Sequence, residues 1–281
     1  MSELRNRMLR DMTVRGLAPR TQQSYVSAVR RLAKHYRRPP DTLSADEVQT
    51  FLAHLVEVEH LSWSTCSVAV HAFRFLYHVT LGHSAVAFVV PLARRPQRLP
   101  EILSVEEVGR LIDEVASPKH RLLMTTIYAC GLRVSEAIHL RVHDVDRGRM
   151  TVRVEQGKGR KDRYVPLSPR LLAAFDAYAA LHRMETWVFE GHTPKRSLHI
   201  CSAQSAYMRA KQRAGITKHG GIHALRHAFA THLIESGTDV LTVQRLLGHR
   251  QVTSTMRYFH LSQARLAVVR SPLDLLEDSR A

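Results

Sequence analysis

Over the first ninety residues apolar positions recur at helical spacing, with polar residues on the opposite faces. Leu4 to about Met12 begins one helix. Pro19 sits in the first turn of a second that runs through Tyr36, and Ser44 with Glu47 forms a capping box that opens a third through about Val58. A fourth starts at Ser62 or Ser64. Its apolar positions Val68, Val70, Phe73, Phe75, Leu76 and Val79 follow helical intervals and stop before Gly82. Four short helices with few glycines predict a compact bundle, with Tyr25, Val26, Val29, Leu32 and Tyr36 facing its core.

The pattern breaks between Pro91 and Pro100, where three prolines and the arginines Arg94, Arg95 and Arg98 share ten residues. Such a stretch predicts a semi-rigid, extended, basic linker, suited to lie along a phosphate backbone or simply to be solvated. Beyond it Ser104 and Glu107 form another capping box, and helices are predicted over Val105 to Val115 and Arg121 to Tyr128. Met150 to Glu155 and Arg163 to Leu167 alternate on either side of a glycine-containing turn, as a β-hairpin does. From Leu171 on the chain reads as mostly helical. The predicted fold is therefore mainly α with a small β-sheet: a helical bundle over residues 1–90, a linker over 91–101, and a mixed α/β domain over 102–281.

Composition adds a partner. Forty-one Lys and Arg against twenty-five Asp and Glu give a formal charge of +16, and a basic field of that size favours polyanions, nucleic acid first. Residues 1–40 hold ten basic side chains, Arg20 among them, against Glu3 and Asp11. A basic membrane-surface protein would need a strongly amphipathic anchor, and the basic residues here sit among ordinary helix patterns. Cys66, Cys130 and Cys201 are too few and too widely spaced for a disulfide framework or a zinc knuckle, which predicts reduced thiols in or near cores. The longest apolar stretch, around Ala85 to Ala93, is far short of a bilayer span and contains Pro91. The expected location is the cytoplasm.

The candidate chemistry is a phosphate site. Gly131 can close a helix in a left-handed cap and leave Arg133 at the head of the next one, pointing outward near its positive end, with Glu136 three residues on to orient it. The plain alternative is a surface ion pair. Lys158 lies between glycines at the predicted hairpin tip, where an ammonium could protonate a leaving alkoxide; Lys161 competes with it, and either could only touch a phosphate backbone, as could Arg160. His223 and Arg226 share a helix face. His227, four residues from His223, raises a zinc reading, but Ala224 stands where a zincin needs glutamate. His249 follows the helix-ending Leu246-Leu247-Gly248, and Tyr258 comes nine residues later. Two guanidiniums can clamp a phosphoryl group, imidazoles can carry protons, and a phenol can be the nucleophile.

In that order, Arg133, Lys158, His223-x-x-Arg226, His249 and Tyr258 resemble the tyrosine recombinase (phage integrase) family over roughly residues 101 to 262. The family often has threonine after the nucleophile, where this chain has Phe259. The resemblance implies a SAM-like core-binding bundle followed by a catalytic domain, a clamp on double-stranded DNA recombination sites, and four protomers acting on two duplexes. Without DNA a monomer or weak oligomer is expected, with no membrane partner, no metal and no other cofactor. It also implies a 3′-phosphotyrosyl intermediate on Tyr258, with integration, excision or resolution of a mobile element as the outcome. Arg20, Arg94, Arg95, Arg98, Arg160 and Lys161 are the residues expected to contact DNA. A type IB topoisomerase would use the same chemistry as a monomer, and a non-catalytic DNA-binding regulator would need none of it. Gly215 to Lys218 and Val269 to Asp274 are similar to integron integrases, which carry an insertion that the interval before His223 is too short to hold, so a recombinase of a mobile element or a chromosome-dimer resolvase fits the resemblance equally well.

Overall fold

The computed structural model describes residues 3–83, 101–155, 162–182, 184–193 and 195–248. The chain divides into two compact units, Met1–Arg98 and Leu99–Ala281. Lys158, Arg160, Lys161, His249, Tyr258, Arg94, Arg95 and Arg98 lie outside the described residues, as do the hairpin turn, the linker and the tail.

The first unit is the bundle of four helices: α1 (Glu3–Val14), α2 (Pro19–Tyr36), α3 (Ala45–Glu57) and α4 (Trp63–Arg74). Pro19 occupies the first turn of α2, where its missing N–H costs nothing, and Arg37 ends that helix in the left-handed conformation. The Ser44 hydroxyl accepts from the Glu47 N–H at 3.2 Å while Glu47 accepts from the Ser44 N–H at 2.8 Å, the reciprocal capping box. Ser62, rather than Ser64, caps α4. Met8, Met12, Leu32, Phe51, Leu55, Phe73 and Leu76 make the core, with Tyr25, Val26, Val29 and Tyr36 packed against it.

The structure differs from the α4 pattern in two places. The helix stops at Arg74 and continues as a π-helical stretch over Phe75–Thr80, so the face rotates where i→i+5 bonds replace i→i+4. Val68, one of the apolar positions read at helical spacing, is 39% exposed, because the buried stripe of α4 runs through Cys66, Ala69, Val70, Ala72 and Phe73. Small residues at 69 and 72 let α2 approach closely, and α2 and α4 pack along their lengths.

The second unit is built around α6 (Pro118–Cys130), which packs against α8 (Pro169–Leu181), α9 (Ile200–Arg213) and α10 (His223–Glu235). Leu123, Met124, Ile127, Phe175, Tyr207, Leu225 and Ala228 form its centre. Ser104 and Glu107 make the expected capping box at the head of α5 (Val105–Asp113). The predicted hairpin exists as β2 (Thr151–Val154) and β3 (Arg163–Pro166), antiparallel with Val152 opposite Val165, and a short β1 (Val145–Asp146) that the pattern did not announce pairs on the other side of β2. Asp144, 2% exposed, accepts from Arg153 Nε at 3.0 Å and from the Arg141 N–H, which closes that edge.

The mostly helical reading after Leu171 holds for α8 to α10 and for α11 (Val240–Leu247), but the described residues between α8 and α9 form no helix. They carry only the isolated bridges Arg141↔Trp187 and Glu190↔Ser197. Cys66 and Cys130 are buried as expected; Cys201 is exposed, a correction, because it lies on the outer face of α9. No described helix is long and apolar enough to cross a membrane.

Candidate active site

Three polar elements converge in the second unit: the turn after α6, strand β3, and the facing ends of α10 and α11. Gly131 ends α6 at φ +60°, and a Cβ there would sit 2.3 Å from the Phe229 ring, so both conformation and space demand glycine. The turn leaves Arg133 as the residue just before the short helix α7 (Val134–Ile138). Its side chain does not point freely outward as expected. It is 23% exposed, and its Nη1 donates to Glu136 Oε1 at 2.6 Å while its backbone N–H donates to Oε2 at 2.8 Å.

Glu136 does more than orient Arg133. The carboxylate is 8% exposed and also takes two parallel hydrogen bonds from Arg163, Nη2 at 2.7 Å and Nη1 at 3.1 Å, while Arg226 Nη1 lies 3.6 Å away. Burial alone would raise its pKa. The Arg163 hydrogen bonds and charge, joined by the Arg133 N–H and guanidinium, outweigh burial and pull it down to about 2. One carboxylate thus faces three guanidiniums. The surplus is positive, which suits a phosphodiester.

Arg226 sits on the first turn of α10 and is 4% exposed. It donates from Nη1 to the Gly131 carbonyl and from Nη2 to the Leu247 carbonyl, each at 2.6 Å. The same side chain therefore holds the turn that presents Arg133 and the last turn of α11. His223 begins α10 one turn earlier, with its side chain at the surface. Desolvation, then the charges of Arg226 and Arg133, lower its pKa, with Glu136 opposing them. Such an imidazole is neutral near pH 7 and can donate at one nitrogen and accept at the other.

Arg133, His223 and Arg226 are thus brought together as the sequence led one to expect. Arg163 was not singled out, although a signal was present: it shares the inward register of β3 with buried Val165, and a charge in a core-facing register needs a buried partner. His232, further along α10, ties two elements together. One ring nitrogen faces the Tyr128 hydroxyl at 2.8 Å and the other the Leu103 carbonyl at 3.0 Å.

Sequence and fold comparisons show the family to which the chain belongs. Residues 101–265 match the phage integrase family, and residues 4–85 match the phage integrase N-terminal SAM-like domain. The chain belongs to the phage integrase family and is a tyrosine-type site-specific recombinase. It is 41% identical, over 98% of its length and 90% of the relative's, to a putative integrase/recombinase, y4qK, of Sinorhizobium fredii. It is 35% identical to the tyrosine recombinase XerD of Bifidobacterium longum, over 88% of this chain and 89% of that one. In fold it resembles a lambda integrase dimer bound to a COC′ core site, with a TM-score of 0.73 at 19% identity, covering 93% of this chain and 77% of that one.

Proposed function

We propose that this recombinase cuts and rejoins double-stranded DNA through a 3′-phosphotyrosyl intermediate on Tyr258, in the service of integration, excision or resolution of a mobile element. The observation that carries the reading is the pair Arg133 and Arg226, drawn to one buried carboxylate with His223 on the same helix turn as Arg226. In the proposed step the Tyr258 oxygen bonds to phosphorus and the bond to the 5′ oxygen breaks. Arg133 and Arg226 neutralise the non-bridging oxygens, and loss of either slows cleavage by about 10² to 10⁵. His223 and His249 hold the phosphoryl group or take the phenol proton, and Lys158 returns a proton to the departing 5′ oxygen, with Lys161 as the competing donor. The intermediate keeps the energy of the broken bond, so a 5′-hydroxyl from another strand can reverse the step without ATP or metal.

DNA is the proposed partner. The lambda integrase structure is described as bound to a core site, and a XerH recombinase of similar fold, TM-score 0.65 at 23% identity over 81% of this chain and 72% of that one, as bound to a palindromic difH substrate. In the N-terminal unit Arg20, Gln23, Ser27 and Arg31 of α2 face Ser64, Thr65 and exposed Val68 of α4 across an open groove. Cations, amide and hydroxyl donors and apolar side chains, all present in the lining of this groove, are the groups that meet phosphates and base edges. Arg94, Arg95, Arg98, Arg160 and Lys161 are assigned to backbone contacts. On DNA the functional assembly is a tetramer over two sites, with the segment Leu266 to Leu276 given to a neighbour.

The test uses nicked duplexes made from the DNA flanking the chain's own gene, with a denaturing gel to detect covalent adducts. An adduct that forms in the presence of a metal chelator and disappears in Tyr258→Phe, with DNA affinity retained, is expected. Full adduct formation by Tyr258→Phe, or none by the unsubstituted chain on sites it binds specifically, overturns the reading.

A further inference from the structure

Arg163 lies outside the set of groups that the proposed chemistry uses, yet every edge of its guanidinium is occupied. Nη1 and Nη2 grip the two oxygens of Glu136, and Nε donates to the Leu246 carbonyl at 2.7 Å. The side chain is 10% exposed. A guanidinium whose three nitrogens all donate to acceptors within the fold is already committed, and that does not describe a free DNA contact. It is instead placed to fix other groups. Its two partners belong to parts of the chain separate from the strand that carries it: the carboxylate that holds Arg133, and the last turn of α11.

The end of α11 shows how specific this arrangement is. A helix leaves its final carbonyls without intrahelical partners. Here Leu246 is taken by Arg163 from β3 and Leu247 by Arg226 from α10, so two guanidiniums from two elements cap one helix end. Gly248 follows at φ +62°, and a Cβ on it would stand 3.1 Å from Arg163 Cδ. The arginine therefore passes directly under the cap. Both partners, Glu136 and the α11 terminus, are also held by Arg133 or Arg226, so a shift of Arg163 reaches both phosphate-binding arginines.

We infer that Arg163 is a positioning residue for strand cleavage: through its fork on Glu136 and its bond to Leu246 it sets the relative placement of Arg133, Arg226 and the C-terminal end of α11. The inference rests on the proposed phosphotyrosyl chemistry. It requires the planar fork and not merely a positive charge, since an ammonium cannot meet two carboxylate oxygens and a carbonyl in one plane.

The test compares Arg163→Lys and Arg163→Met with the unsubstituted chain, well below their unfolding midpoints so that the folded fraction does not enter. Affinity is read on intact duplexes and single-turnover adduct formation on nicked ones. Both variants are expected to bind as tightly as the unsubstituted chain and to form the Tyr258 adduct about 10²-fold more slowly, the scale of an ångström-sized misplacement. Full-rate cleavage by Arg163→Lys reduces the role to charge and overturns the inference. A fall in affinity that matches the fall in rate overturns it too, by making Arg163 a DNA contact. Should Arg163→Met fail to fold, the Lys variant, which keeps the charge and the apolar stem, decides alone. If the unsubstituted chain forms no Tyr258-dependent adduct, the proposed chemistry itself has failed, and the assignment of Arg163 falls with it.

Discussion

In the N-terminal unit Arg38 meets Glu47 at 2.8 Å with 48% of its side chain in solvent, and Arg31 meets Glu59 at a similarly open edge. In the second unit Arg163 and Arg226 meet Glu136 with 10% and 5% exposed, and their other donors cap backbone carbonyls. The residue types are the same. What differs is water: a pair on the bundle surface exchanges hydration for a contact of nearly equal worth, whereas a buried pair that loses one member leaves a charge with nothing to answer it. The bundle surface can therefore trade its cations for affinity, and the buried cluster around Glu136 cannot.

The largest expected effect follows from the shared carboxylate. Glu136→Gln leaves three guanidiniums around a neutral amide and should cost about 3–5 kcal/mol by chemical denaturation; a loss comparable to that of a surface pair would erase the contrast. The same group predicts a pH dependence. Its folded pKa, about 2, lies below the ordinary 4.5, so the stability it contributes is fully present above the ordinary value and disappears as pH falls toward 2. A difference of that size is roughly 3 kcal/mol. Denaturation midpoints between pH 6 and pH 2.5 should fall more steeply for the unsubstituted chain than for Glu136→Gln.

A somewhat smaller cost is expected at the turn that presents Arg133. Gly131→Ala meets both a positive φ and the Phe229 ring, worth about 2–5 kcal/mol together. If the double variant with Phe229→Leu regains a good part of the loss, the ring is the larger cause; if it regains nothing, backbone conformation is. The smallest effect belongs to the bundle. Arg38→Ala should leave the unfolding midpoint within error, and a clear drop would show that the bundle surface depends on its ion pairs after all.

Much of the fold was legible because its signals are local. Pro19, Ser44 with Glu47, and Ser104 with Glu107 each settle a helix start within one turn of chain, and the alternation around the hairpin settles β2 and β3. The π-helical stretch from Phe75 was not, since no residue there forbids an α-helix. In the site, Gly131, Arg133, His223 and Arg226 could be read from spacing and from resemblance. The convergence of three arginines on Glu136 joins residues 133, 163 and 226, and no local pattern reports such a meeting. Only the inward register of Arg163 hinted at it.

Arg226 carries a consequence for how this lineage can lose its activity. The side chain assigned to the phosphate also ties the Gly131 turn to the end of α11, so mutation cannot remove the one role and spare the other. A descendant that drifts toward a silent DNA-binding protein by losing this arginine must first survive a weakened seam between two helices. Decay by that route is self-limiting, because the broken enzyme tends to vanish as an unfolded chain before it can be kept for another use.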